Sequence, residues 1–308
     1  MKRNYIFNLV QLFIIILSAM LIYVQINVNT FTDSIIITLK NWLYNVVPPI
    51  FIFYIIASLI IKFKILSLIS FIYNPLNILF QFDSKKSIEL FFISILIGNP
   101  GFSSILTINY KNNNISYFDY KRLLNFCSFQ TPLYIISLFP YNKTLGFVII
   151  LANILASIIL LMFSKQKNHH IINDDLTFDN SISFSEIFYN SFIVLLNIAS
   201  IMIFFNCIIF SLDYFNIPKI LFIYLELTNG ISIINEISLL NIIKIILITS
   251  ILSFNCFSIH MQIFTYTINI SYFTFLINRI IITTLTITIT IFILLGILWL
   301  HLHHNYSF

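Results

Sequence analysis

Long apolar runs, several of them cut by a helix-breaking residue, constrain this chain more than any other feature. Crossing about 30 Å of hydrocarbon takes about 20 mainly apolar residues. Residues 5–27, 42–61, 145–164, 186–211 and 280–300 are clear candidates. Residues 88–110 and 240–267 are long enough but are broken. The first break is Gly98-Asn99-Pro100-Gly101; the second is Ser253-Phe254-Asn255-Cys256, with His260 and Gln262 following. Residues 66–80, 125–140 and 217–238 are apolar but carry Pro75, Pro132 and Gly230, and fit half-helices or re-entrant hairpins. Only 9% of the 308 residues are charged, against roughly 25% in a soluble domain. Lys2 and Arg3 before the apolar stretch from Tyr5 to Ile26 look like the start of a signal peptide. The run is long and no small-residue cleavage pattern follows, so it reads as a retained first span.

Residues 165–185 form one long polar stretch, with Lys165, Lys167, His169, His170, Asp174, Asp175 and Asp179. They divide the chain into an N-terminal membrane repeat with an extra first span (1–164), a linker, and a C-terminal membrane repeat (186–308). Asn114-Ile115-Ser116-Tyr117-Phe118 recurs as Asn269-Ile270-Ser271-Tyr272-Phe273, and arginines follow at 122 and 279. Ser94-Ile95-Leu96 is echoed by Ser250-Ile251-Leu252, which sets Asn99 against Asn255 and Phe102-Ser103 against Phe257-Ser258. Ordered self-similarity of this kind is the mark of an internal repeat. Three full crossings, 145–164, 186–211 and 240–267, separate the matched segments, and an odd number places them in opposite orientations. The expected fold is therefore all-α: a polytopic membrane protein with inverted structural repeats, broken helices and re-entrant hairpins. Asn114 and Asn269 on one side of the membrane would exclude that orientation. Lys2, Arg3, Lys62 and Lys64 favour a cytoplasmic amino terminus, while Asp33 and Lys40 cancel in the first outer loop.

The net charge of +5 does not point to nucleic acid, because the basic residues form no patch interleaved with aromatics. Cys127, Cys207 and Cys256 are widely spaced in apolar surroundings and suggest neither a disulfide framework nor a metal site. His301, His303 and His304 sit on a tail without a carboxylate or thiol partner. No phosphate loop, nucleophile elbow or zinc-protease signature is present. The reading is a non-enzyme without cofactor or metal, with the lipid bilayer and a small solute as its partners; a homo-oligomer is compatible with it.

The polar breaks carry the candidate site. Proline removes a backbone donor and glycine permits otherwise forbidden dihedrals. The backbone groups freed at Gly98, Asn99, Pro100 and Gly101 must therefore be buried in protein or line a wet cavity. Ser128, Gln130 and Thr131 offer donors and acceptors just before a helix started by Pro132, whose free amides would suit an anion; an ordinary helix cap is the plainer alternative. Glu226 precedes Thr228, Asn229 and Gly230. An ionisable residue in an apolar run is a candidate for a coupling cation, a proton or the substrate. The alternative is an interfacial carboxylate beside a helix ended by Gly230. Ser258, His260 and Gln262 follow the second break, His260 as proton relay, anion donor or interhelical hydrogen-bond partner. Arg122 and Arg279 would attract an anion at depth, but snorkelling is the commoner fate.

Taken in order, these segments resemble the YlbJ-type sporulation integral membrane protein family, within the group carrying nucleoside-transporter-like gate domains. The resemblance covers roughly residues 40–290. It runs through Pro48-Pro49, Gly98-x-Pro100, Arg122-Leu123-Leu124-Asn125-Phe126-Cys127 to Pro132-Leu133-Tyr134, Glu226-x-Thr228-Asn229-Gly230, Ser258-x-His260-x-Gln262 and Arg279. Two departures stand out: Phe102 holds the last place of the family's Gly-x-Pro-x-Gly, and Asn255-Cys256 replaces a Gly-Gly before Ser258. The resemblance implies a transporter that moves dipicolinic acid, a small anionic metabolite, across the outer forespore membrane. A non-transporting scaffold for spore-envelope assembly and a nucleoside-type transporter are the rival readings.

Overall fold

The computed structural model describes residues 2–139, 142–164 and 183–305. In chain order the helices are α1 (Lys2–Asn27), α2 (Phe31–Asn41), α3 (Val47–Lys62), α4 (Tyr73–Phe80), α5 (Lys85–Ile97), α6 (Gly101–Lys111), α7 (Tyr117–Phe126), α8 (Pro132–Ser137), α9 (Lys143–Phe163), α10 (Phe184–Tyr214), α11 (Leu227–Glu236), α12 (Asn241–Phe254), α13 (Phe257–Tyr266) and α14 (Tyr272–Asn305). A π-helical turn at Trp42–Val46 joins α2 to α3, and 3-10 stretches at Ile65–Ile72 and Lys219–Phe222 precede α4 and α11. The described residues contain no β-strand. Among them, Phe31–Lys62, Lys143–Phe163, Phe184–Tyr214, Asn241–Tyr266 and Tyr272–Ile297 are long and apolar enough to cross a membrane. The chain is an all-α integral membrane protein. The 165–185 linker falls, for residues 165–182, outside the described residues, as do the side chains of His301, His303 and His304.

Polar contacts fix which helix ends lie together. At one end, the Asp83 amide and the Ser87 hydroxyl donate to Asp119 Oδ2 (2.8 and 2.6 Å), and Ser116 Oγ donates to Asp83 Oδ2 (2.5 Å). The start of α5 is thereby tied to the start of α7. Since α6 ends just before α7, α5 and α6 form a hairpin with its tip at Gly98-Asn99-Pro100. Arg122, on α7, donates to the carbonyls of Phe80 (2.6 Å) and Leu161 (2.8 Å) and to Ser164 Oγ (3.1 Å). That brings the end of α9 to the same end. Lys62 stacks over Phe184, 3.9 Å from the ring centroid, and joins the end of α3 to the start of α10. Tyr117 Oη donates to the Asn269 carbonyl (2.8 Å), and the Ile268 amide donates to Tyr120 Oη (3.1 Å). The turn between α13 and α14 lies here too. We call this the basal end. It gathers Lys62, Lys64, Lys85, Lys86, Lys111 and Lys121.

The distal end carries the turn between α8 and α9, where Gly146 packs under Ile136 and Phe139. It also carries the junction of α11 with α12, where Lys244 Nζ donates to the Asn235 carbonyl (2.8 Å). Tyr23 stacked on Phe215 and Phe31 edge-on to Phe210 place the end of α1 and the start of α2 beside the end of α10. The pair α7–α8 therefore covers the length of α9 as one interrupted crossing, and α12–α13 covers it as another. One core unites both halves of the chain.

Two sequence expectations are corrected. Residues 88–110 do not run on as one interrupted helix; they turn back at Gly98–Pro100. A glycine–proline break ends a helix without specifying the direction of the next one. The turns at Asn114 and Asn269 lie side by side at the basal end, so matching Asn114–Phe118 to Asn269–Phe273 does not relate oppositely oriented segments. In a background without native cysteines, Asn114→Cys and Asn269→Cys are expected to react with a membrane-impermeant maleimide from the same side. Labelling from opposite sides would refute this packing.

Candidate functional site

Two hairpin tips and two interrupted crossings meet at the middle of the molecule. The first tip follows α5. Gly98 has φ +67°, and a Cβ there would run into the backbone of Gln130 and Thr131. The Asn99–Pro100 peptide is cis. The Asn99 amide donates to the Phe129 carbonyl (2.8 Å) and Thr131 Oγ1 to the Ile97 carbonyl (2.8 Å). Tip and interrupted crossing thus satisfy each other's backbone. The second tip, residues 223–226, is held likewise: the amides of Phe257 and Ser258 donate to the carbonyls of Tyr224 (2.8 Å) and Leu225 (2.9 Å). Gly230 lets the first turn of α11 lie against the Ile223 carbonyl, a space a Cβ would fill. It sits inside α11, which removes the alternative of a helix ended by Gly230. Glu226 caps that helix, its Oε2 accepting from the Asn229 amide (2.9 Å) and Thr228 Oγ1 (2.5 Å).

The two crossings interlock through one amide. Asn255, left-handed at φ +71°, accepts from Gln130 Nε2 at 2.6 Å and donates through Nδ2 to the Ser128 carbonyl at 2.7 Å. Buried polar groups that find no partner cost about 1–3 kcal/mol each, so this bridge joins the halves at their most polar level.

Around the bridge lies a cavity of about 40 Å³, lined by Asn99, Gln130, Tyr134, Glu226, Leu227, Thr228 and Gln262, with Val46, Ile198, Met202 and Ile259 as its apolar wall. Val46 belongs to the π-helical turn, a distortion often found at functional sites. Glu226 is 3% exposed and Asn99 4%. Neither Nδ2 nor Oδ1 of Asn99 has a hydrogen-bond partner among the described residues, and Tyr134 Oη is likewise buried without one. Buried side-chain amides are ordinarily satisfied; an amide left unpaired against a cavity is a group prepared for a ligand or water.

Of the residues singled out from sequence, Asn99, Gln130, Glu226 and Gln262 come together here. The others shape the breaks. Gly98, Pro100 and Gly101 make the tip. Ser128 Oγ donates to the Leu124 carbonyl (2.5 Å) and Thr131 to that of Ile97, so neither hydroxyl is offered to an anion. Asn229 Nδ2 donates to Asn206 Oδ1 on α10 (3.1 Å). Ser258 Oγ is buried and unpaired but outside the cavity lining. His260 bonds through Nε2 to the Phe254 carbonyl (2.8 Å) and through Nδ1 to Tyr272 Oη (3.3 Å), and packs on Phe254 and Phe275. It is the interhelical histidine rather than a cavity group. Arg279 is fully buried and donates to the Ser253 carbonyl; it does not snorkel. Tyr134 and Thr228 are the polar lining residues that sequence reasoning passed over, although both lie in quoted segments. No family model, curated protein or solved structure matches this chain.

The geometry separates residues that hold the breaks from the one that waits. Asn255→Ala strands Gln130 Nε2 and the Ser128 carbonyl, and is expected to destabilise the protein by about 1–3 kcal/mol. Gly98→Ala is expected to cost about as much through overpacking. Asn99→Ala, which removes no hydrogen bond, is expected to stay within about 0.5 kcal/mol of wild type. Thermal unfolding of the purified variants in detergent reads all three; an Asn99→Ala loss equal to that of Asn255→Ala would make Asn99 structural.

Proposed function

We propose that this protein is a membrane transporter that binds a small organic anion where its two hairpin tips meet its two interrupted crossings. The observation that carries the reading is the Asn99 amide, buried, unpaired at both heteroatoms and facing a cavity with Glu226, Gln130 and Gln262. Irregular backbone inside a membrane protein is tolerated where it is buried in protein or lines a cavity, and helix breaks at the centre are the usual location of a transporter's site.

In this reading the hairpins are re-entrant and the repeats inverted, in a different register from the matched pentapeptides. Hairpin 85–111, entering from the basal end, pairs with 219–236, entering from the distal end. Crossing 117–137 pairs with 241–266. The tip-to-crossing bonds support it, Asn99 to Phe129 in one half and Phe257 to Tyr224 in the other. The excess of lysine at the basal end supports a cytoplasmic location for that end.

Glu226 is the candidate for a coupling ion or proton. Its carboxylate also argues that an anion would not enter the small cavity without a compensating positive charge. Dipicolinic acid and the outer forespore membrane are the substrate and location favoured by the resemblance of the quoted segments. A wide groove adjoining the cavity, whose lining carries Lys143 and no carboxylate, is compatible with such a dianion.

The test is uptake of labelled pyridine-2,6-dicarboxylate into proteoliposomes. Wild-type protein is expected to exceed protein-free liposomes, and Asn99→Ala or Glu226→Gln to reduce the rate by about tenfold or more, as for loss of a hydrogen bond to a charged group. Flux equal to that of protein-free liposomes would remove the transport reading and leave the scaffold.

A further inference from the structure

The cavity at the breaks measures about 40 Å³. Pockets for organic ligands run to roughly 300–1,000 Å³. The wide groove beside it measures about 1060 Å³. It lies between the α2–α3 helix, α8 and α11, and Tyr134 and Thr228 line both spaces. These two side chains form the partition. Lys143 is the charged residue of the groove's lining, set among Tyr44, Asn45 and Asn235. Lys143 begins α9, whose other end is held at the basal end by Arg122, so the groove belongs to the distal end.

We propose that this groove is a second binding site, an outer antechamber in which an organic anion is held by Lys143 and flanking amide and phenol groups before or after it passes Tyr134. The inference rests on the transport reading and adds to it a place, a charge and a side. The groove is large enough for an aromatic carboxylate as it stands, whereas the cavity must widen, by parting Tyr134 from Thr228, to take one in. Among the described residues its lining offers a cation, hydrogen-bond donors and an aromatic face; the Glu236 carboxylate, which accepts from Ser232 of the lining (3.2 Å), is not itself part of it. With the basic end in the cytoplasm, the antechamber opens on the opposite, non-cytoplasmic side.

Equilibrium binding of pyridine-2,6-dicarboxylate to purified protein in detergent tests the site. Lys143→Gln is expected to raise Kd by about fivefold, the upper range for one solvent-accessible charge pair, and Lys143→Arg to restore it. In a background lacking native cysteines, Lys143→Cys is expected to react with an impermeant methanethiosulfonate from outside intact cells. The dianion should slow that reaction. Modification with the aminoethyl reagent, which returns a positive charge, should recover the Kd, and the sulfonatoethyl reagent should worsen it. Absence of binding to wild type, or a Kd indifferent to Lys143→Gln, overturns the antechamber; reaction from the cytoplasmic face alone overturns its side. Binding with the expected Lys143 dependence but no flux into liposomes removes the transport reading and keeps the site. Flux with a Kd indifferent to Lys143→Gln removes the site and keeps transport.

Discussion

A helix interrupted among apolar side chains exposes backbone groups that water cannot reach, and each must find a partner or cost several kcal/mol. In this molecule the partners of the interruptions are largely one another. The Ile97 carbonyl is taken by Thr131, the Phe129 carbonyl by Asn99, and the Ser128 carbonyl by Asn255. In the other half the Tyr224 and Leu225 carbonyls are taken by Phe257 and Ser258, and the Phe254 carbonyl by His260. Gly98 and Gly230 are where they are because this mutual satisfaction demands backbone at contact distance, with no room for a Cβ. Most polar residues in the breaks are consumed in this way. The few left over, Asn99 foremost, define the cavity.

The two arginines belong to the same account. A guanidinium presents five donors in a fixed fork and can serve several carbonyls at once. Arg122 gathers the Phe80, Gln81 and Leu161 carbonyls and Ser164, with Asp119 3.8 Å away. It closes the base of the first hairpin onto the end of α9. Arg279 reaches the Ser253 carbonyl just before the second break. Buried cations are retained where truncation would leave several acceptors unpaired, and Arg122 has that character; Arg279, whose Nε and Nη1 find no partner among the described residues, serves the one carbonyl. Neither guanidinium reaches the cavity, so the positive charge available to a ligand lies elsewhere.

Fold class and the positions of the breaks were legible because they depend on local quantities: the length of an apolar run, a proline, a glycine. The path after a break was not. Gly98-Asn99-Pro100 reads the same whether the next helix continues or reverses, and here the contact of Asp119 with Asp83 and Ser87 decides for reversal. The repeated Asn-Ile-Ser-Tyr-Phe misled for a related reason. Both copies sit in turns at the basal end with a left-handed asparagine, Asn113 just before the first copy (φ 56°) and Asn269 at the start of the second (φ 57°), and a serine before the next helix. Asparagine and serine recur wherever a chain must turn into a helix, so a matching turn need not mark a symmetry. Within the site, Asn99 and Glu226 were conspicuous as polar residues in apolar runs. Tyr134 carried no signal, being one aromatic among many.

The bonds at the centre also say which parts can move together. Each tip is bonded to the interrupted crossing of its own half, so a tip and its crossing form a unit. Between the halves, the central link is the pair of side-chain bonds made by Asn255. On the basal side the halves are further tied by Tyr117 Oη, which donates to the Asn269 carbonyl, and by the Ile268 amide, which donates to Tyr120 Oη. On the distal side the partition between cavity and groove is made of Thr228, whose hydroxyl turns inward to Glu226, and Tyr134, whose hydroxyl has no partner. Separating these two side chains breaks no hydrogen bond between them, whereas opening the basal side would break the bonds by which Tyr117 and Tyr120 hold the turn before α14. In the transport reading, passage between cavity and groove therefore costs mainly van der Waals contact, and the harder step is the one at the cytoplasmic end.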